Sequence, residues 1–151
     1  MQETEAMSRR RLVAAVTVAL FIWGAMVLRA QGQDTFKGRL SPVPIDAKMV
    51  ADTTGRGVAS AVLAGSKLTV SGTFEGLRGA ATTAQLRRGA ATGVRGPAMF
   101  DLTVTKATSG AISGSFDLNA DQVESLRGGR VYVQIDSEKA PEGNLWGWLL
   151  K

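Results

Sequence analysis

The sequence predicts an all-β domain, a Greek-key-like β-sandwich or barrel of seven to eight strands with one short helix, preceded by a single N-terminal transmembrane helix. Three observations carry this prediction. An uncharged apolar run stands near the N-terminus, short segments of alternating apolar and polar residues fill the remainder, and glycine-containing turns separate those segments.

The apolar run, Leu12 to Leu28 (LVAAVTVALFIWGAMVL), has 17 residues. As a helix it rises about 25 Å, near the lower limit for crossing hydrocarbon. Leu12, Phe21, Trp23 and Leu28 belong to this membrane helix, and Trp23 is expected to meet lipid or a neighbouring helix. Arg9, Arg10 and Arg11 precede it, so the positive-inside rule leaves residues 1–11 in the cytoplasm and the rest of the chain beyond the bilayer. Residues 29–34 (RAQGQD) form a linker that reaches at most about 20 Å, which holds the domain at 35–151 close to the membrane. Signal cleavage wants small residues one and three positions before the cut. Cutting after Ala30 or Ala25 puts Leu28 or Trp23 at the outer position, so the helix is expected to stay as a signal anchor. Ser8-Arg9-Arg10-Arg11-Leu12 also fits a twin-arginine export pattern, but an ordinary basic flank is preferred, since no cofactor ligands accompany it. The expected location is the bacterial inner membrane, single-pass, with a periplasmic C-terminal domain.

Within the domain, Leu68, Val70 and Phe74 alternate with Thr69, Ser71 and Thr73. Phe100, Leu102 and Val104 alternate with polar residues, as do Ile112, Phe116 and Leu118, and each set reads as a strand with one buried face. Val131, Val133 and Ile135 give a further inward row, and Phe36 to Leu40 and Gly57 to Leu63 are additional strands. Ala120 to Leu126 is the helix, with Asn119 as N-cap, Gln122 as its capping-box partner and Gly128-Gly129 as its stop. Asp117 to Asp121 has the opening rhythm of a calcium loop but lacks its sixth-place glycine and closing glutamate, so capping explains it. Arg78, Arg87, Arg88 and Arg95 read as a basic loop between two strands.

Composition narrows the chemistry. The chain has 151 residues, enough for one domain and an appendage, and contains neither histidine nor cysteine. Imidazole acid–base chemistry, thiolates, disulfides and the usual zinc, copper and haem ligands are therefore excluded. No cofactor and no small-molecule substrate is evident. Net charge is +5, but from Asp34 onward 14 basic side chains face 11 acidic ones, too sparse a surplus for a nucleic-acid footprint. The carboxylates Glu138 and Glu142 have nothing that selects them for catalysis.

Several segments taken in order resemble one family. They are Phe36-Lys37-Gly38-Arg39-Leu40-Ser41 with Pro42 and Pro44, Leu68 to Leu77 (LTVSGTFEGL), Gly96 to Leu102 (GPAMFDL) and Gly114-Ser115-Phe116-Asp117-Leu118. Val131-Tyr132-Val133 and Pro141 to Gly147 (PEGNLWG) follow. The chain is similar to the CHRD domain, which implies a β-sandwich-like fold. The family's Ala-His-x-His stretch corresponds here to Ala84-Gln85-Leu86-Arg87, and a third family histidine to Asp136, so the resemblance implies a degenerate member without an imidazole site. At the C-terminus the family pattern Gly-Glu-Ile-Arg-Gly-x-Leu becomes Gly143-Asn144-Leu145-Trp146-Gly147-Trp148-Leu149. Period two puts Leu145 and Leu149 inward and Trp146, Trp148 and Leu150 outward, where the family is polar. Tryptophan is enriched in the energetic centres of interfaces, so these three residues are expected to face a partner, the alternative being that Trp146 and Trp148 are ordinary core residues under a loop.

The sequence thus points to a non-catalytic accessory subunit, anchored in the bilayer and bound to subunits of a larger membrane protein complex, respiratory or photosynthetic. A free-standing ligand- or envelope-binding module is the alternative, and a hydrolase or metal-dependent enzyme a more remote one.

Overall fold

The computed structural model describes residues 32–44 and 47–151. Arg9, Arg10, Arg11 and the anchor residues Leu12, Phe21, Trp23 and Leu28 lie outside the described residues, among which no helix is long and apolar enough to cross a membrane.

Among the described residues eight strands and one helix follow one another: β1 (Asp34–Pro42), β2 (Arg56–Ala64), β3 (Lys67–Glu75), β4 (Ala81–Arg88), β5 (Ala98–Val104), β6 (Gly110–Asp117), α1 (Ala120–Arg127), β7 (Val131–Ser137) and β8 (Leu145–Trp148). They close a barrel in the order β1-β2-β3-β6-β5-β4-β7-β8, with every described pair antiparallel. Strands β4, β5 and β6 are sequential neighbours, and the chain then passes through α1 to bring β7 beside β4, which is Greek-key connectivity.

The choice between sandwich and barrel is settled by two short seams. Strand β5 pairs with β6 only at Thr103↔Ser113 and Val104↔Ile112, and β1 pairs with β8 at Ser41↔Trp146 and Pro42↔Leu145 with an added bridge Lys37↔Leu150. β1 and β5 thus change partners part-way along, turning the corners that join the two faces into a closed wall. At the first corner Phe100 stacks on Phe116, ring centroids 4.6 Å apart, beyond the last paired residues of β5 and β6. At the second, glycine is a steric requirement. A Cβ on Gly147 would lie 2.6 Å from the Arg39 carbonyl oxygen, and one on Gly38 would lie 2.8 Å from that of Trp148.

The alternating rows fill the barrel. Leu68, Val70, Ile112, Val133, Ile135 and Leu145 are all buried in one apolar cluster that also contains Phe36 and Leu40. Each buried aliphatic side chain of this kind stabilises the fold by about 1.5–3 kcal/mol relative to exposure.

β4 corrects the sequence reading. Arg87 and Arg88 are not in a loop but end this strand, whose inward row is Ala81, Ala84 and Leu86. Two of those three are alanine, too weak an apolar signal to stand out against Gln85, Arg87 and Arg88. Arg78 and Arg95 do lie between strands.

Helix α1 caps as its residues dictate. The Asn119 side chain accepts from the Gln122 backbone N–H at 2.9 Å, and the Gln122 side chain accepts from the Asn119 N–H at 3.0 Å. Its end is a Schellman turn: the Gly129 N–H donates to Leu126 O, the Arg130 N–H donates to Ser125 O, and Gly129 takes φ of +69°. Ion pairs hold both ends of this helix to the barrel. Arg88 on β4 binds Asp121, and Arg127 binds Asp34 on β1, which also meets Lys151.

Candidate functional site

The outer face of β5-β4-β7-β8 carries most of the polar and aromatic residues that the sequence singled out. Antiparallel register sets them in rows. Asp101 on β5, Gln85 on β4, Gln134 on β7 and Trp146 on β8 are successive cross-strand partners. The next row runs from Arg87 through Tyr132 to Trp148. Asp136 lies opposite Thr83, one pair further along β7 in the other direction.

Two hydrogen-bonded sets organise the polar members. Gln85 Nε2 donates to Asp101 Oδ1 at 2.8 Å and Arg87 Nη1 donates to Gln85 Oε1 at 3.0 Å. Asp136 accepts from Thr83 Oγ1 at 2.7 Å and from Gln134 Nε2 at 2.9 Å. Gln85 and Arg87 on β4 thus share one face with Asp136 on β7, which is far from them in sequence. Among the described residues no group of acidic side chains is arranged to hold a metal ion.

The aromatic members form a three-ring cluster. The Tyr132 ring lies 4.4 Å from Trp148 and 5.9 Å from Trp146, and the two indoles are 5.9 Å apart. Leu145 and Leu149 point into the core as period two requires, whereas Trp146 and Trp148 are half-buried on the outside and Leu150 is 47% exposed. The tryptophans are therefore neither core residues nor free surface residues. Tyr132, on the same outer face, is fully buried.

The cover over Tyr132 is the β4–β5 loop, which the sequence did not single out as structural. The Gly96 N–H donates to the Tyr132 hydroxyl at 3.0 Å, and that hydroxyl donates to the Gly96 carbonyl at 3.2 Å. Arg87 Nε donates to the same carbonyl at 3.0 Å. Gly89 packs so close to the Trp148 indole that a Cβ there would lie 2.9 Å from it. Thr92 Oγ1 donates to Gly129 O at 2.7 Å, and Val94 is left 48% exposed on the loop.

Beside this loop is a cavity of about 460 Å³ lined by Arg87, Arg95, Gly96, Gln134, Asp136, Pro141 and Glu142. Gln134 is 4% exposed and its Oε1 has no hydrogen-bond partner among the described residues. Arg95 Nη2 donates to the Glu142 carbonyl at 2.5 Å. Nothing in the sequence singled out Gln134, and Arg95 stood out there only as part of a basic loop. The available signal was a glutamine between Tyr132 and Asp136 at outward positions of a strand. Behind the cavity, Asn144 is fully buried, accepting from Ser137 Oγ at 2.8 Å and donating to Thr54 O at 2.7 Å. A separate groove of about 970 Å³ opens over β1, β2, β3 and β6, with Val58 58% exposed in its lining.

Among the described residues two surface carboxyls are perturbed. Asp121 is held below the ordinary carboxylate range by the hydrogen bond from Arg88 and then by its charge. Asp34 is lowered first by the hydrogen bond from Lys151, with the Lys151 charge and Arg127 adding to it against the opposing effect of burial. Both serve ion pairs at helix and strand ends, away from the cavity.

The fold and this face define a small β-barrel module whose outer wall combines an aromatic cluster with a polar cavity. The chain belongs to the CHRD domain family, whose model matches residues 43–149. That match begins after β1, so the strand that closes the barrel against β2 and β8 precedes the matched residues. No curated protein and no solved structure matches the chain.

Proposed function

We propose that this chain is a non-catalytic accessory subunit, anchored in a bacterial inner membrane by Leu12 to Leu28, whose periplasmic barrel docks on a larger membrane protein complex through Trp146, Trp148 and Leu150. The observation that carries this reading is the placement of two half-buried tryptophans and an exposed leucine along one edge of the outer wall, beside the exposed Val94 of the β4–β5 loop. Pre-ordered indoles, braced on the buried Tyr132, give large apolar contact at little cost in side-chain entropy. A second contact in the membrane would act with the first, since tethering raises the effective concentration of each. The absence of histidine and cysteine, with Gln85, Arg87 and Asp136 at the positions where the family resemblance implies histidines, argues against a hydrolase or a metal-dependent enzyme.

A second reading, a free-standing exported ligand- or envelope-binding module, is favoured by the cavity at Gln134. Extraction in mild detergent from the native membrane separates the two. The subunit reading predicts co-migration with a large assembly and an intact mass that retains the anchor. A lone species near 15.9 kDa, or one shortened by cleavage, refutes it.

A further inference from the structure

We infer that the groove over the outer face of β1, β2, β3 and β6 is a docking site for an extended acidic segment of a partner protein, its apolar side chains on Val58 and its carboxylates on Lys37 and Arg39. A difference in side-chain length makes the groove. Antiparallel register sets Arg39, Val58, Thr73 and Ala111 in one cross-strand row, and Lys37, Ser60 and Ser71 in the next. The short side chains of β2, β3 and β6 leave the middle of this sheet low. Lys37 and Arg39 stand along the β1 side, and Arg56 with Glu75 closes one end. The hollow measures about 970 Å³, at the upper end of the range of about 300–1,000 Å³ usual for binding sites. Val58 is 58% exposed in its floor although β2 has a paired strand on each side. The core row of that strand is Ala59, Ala61 and Leu63, so Val58 packs on nothing inside, and an apolar group laid over it removes both surfaces from water.

Charge selects the occupant. The lining holds Lys37, Arg39 and Arg56 against one carboxylate, and that carboxylate is already taken, since Glu75 meets Arg56 at 2.6 Å. Lys37 and Arg39 are both exposed, and neither has an acidic partner among the described residues. They stand two residues apart on the same face of β1, a pair of uncompensated cations beside an apolar floor. A flat bilayer surface would meet the rim and not the floor. A second copy docked face to face would set these cations against their own kind. Two cations are also too short a stripe for nucleic acid. An extended chain carrying glutamates or aspartates among apolar residues reaches the floor and the cations together. None of these groove residues belongs to the edge formed by Trp146, Trp148 and Leu150, so this site and that docking edge can fail independently.

The test is fluorescence anisotropy of labelled synthetic peptides titrated with the full-length chain in a neutral detergent. One peptide is Asp-Glu-Leu-Val-Leu-Glu-Asp and its counterpart is Lys-Lys-Leu-Val-Leu-Lys-Lys. Saturable binding of the acidic peptide alone is expected, weakening as salt rises. Lys37→Glu with Arg39→Glu should weaken it at least tenfold, and Val58→Ser several-fold. All three side chains are exposed, so the thermal transition should stay in place and report that the variants fold. Absence of saturable binding by the wild type, equal binding of the basic peptide, or unchanged binding in the folded variants overturns the site. Displacement of the acidic peptide by an equal concentration of soluble short-chain phosphatidylglycerol overturns the choice of occupant in favour of lipid headgroups. A sedimenting mass that halves in Val58→Ser overturns it in favour of a second copy.

Discussion

Gln134 on β7 and Trp146 on β8 are antiparallel partners on the outer wall of the barrel, so a buried, under-satisfied amide and a half-buried indole share one cross-strand pair. This pair joins the polar network of β4 and β7 to the aromatic edge at β8. The two segments around Gln85-Leu86-Arg87 and around Trp146-Gly147-Trp148 are thereby parts of a single surface.

The Tyr132 hydroxyl is the latch for the β4–β5 loop. Tyr132→Phe removes both of its hydrogen bonds to Gly96 and leaves the Gly96 N–H to find a new partner, while the carbonyl keeps the bond from Arg87 Nε. A loss of about 1–2 kcal/mol is expected by denaturant titration. Hydrogen exchange at the Gly96 amide should accelerate while amides of β3 and β6 stay protected.

Asn144 ties the approach to β8 to Ser137 and to the chain preceding β2. Because it is fully buried, Asn144→Ala leaves the Thr54 carbonyl and the Ser137 O–H donor without these partners, the Ser137 oxygen still accepting from the Ala140 N–H. The expected destabilisation is about 2–3 kcal/mol, larger than for any exposed asparagine, and is measured by thermal or urea unfolding.

The seam between β1 and β8 is predicted to reject side chains. Gly147→Ala forces a Cβ to 2.6 Å from the Arg39 carbonyl oxygen, a backbone atom that cannot step aside. Destabilisation of about 1–3 kcal/mol is expected, whereas Gly93→Asn, at a positive-φ turn with open space around it, should cost far less.

Acid sensitivity should come from the ion-paired carboxyls. The folded-state values of Asp121 and Asp34 are lowered, so their contribution is fully present above the unfolded aspartate value of about 3.9 and is lost as pH falls through the lower folded values. Thermal stability should be level from neutral pH to about 4 and decline below it, with no histidine step near pH 6. Arg88→Gln should be slightly less stable than wild type above pH 4, and the difference should vanish in stronger acid. The effect is small, as for other solvent-exposed ion pairs.

Much of the barrel is legible in the sequence because its strands are amphipathic in the simplest way. Leu68-x-Val70 and Val131-x-Val133-x-Ile135 announce their buried face, and Asn119 with Gln122 announces the helix start. β4 is silent because alanines line most of its inward face. Closure of the barrel is silent too, since it depends on Gly38 and Gly147 meeting across more than a hundred residues of chain. Of the site, the outward turn of Trp146, Trp148 and Leu150 follows from period two. The burial of Tyr132 and Gln134 on that same outward face does not, because it is imposed by a loop whose path is fixed only by Gly96, Arg87 and Gly89 meeting their partners in space.

The docking proposal meets its most direct test in the size of the assembly recovered from native membranes when Trp146→Arg and Trp148→Gln are made together, with Leu150→Arg as a milder exposed variant and the thermal transition of each chain as the folding control. The folded variants are expected to leave the large assembly, the double substitution more completely than Leu150→Arg. Folded variants that stay in the assembly at wild-type stoichiometry would contradict it.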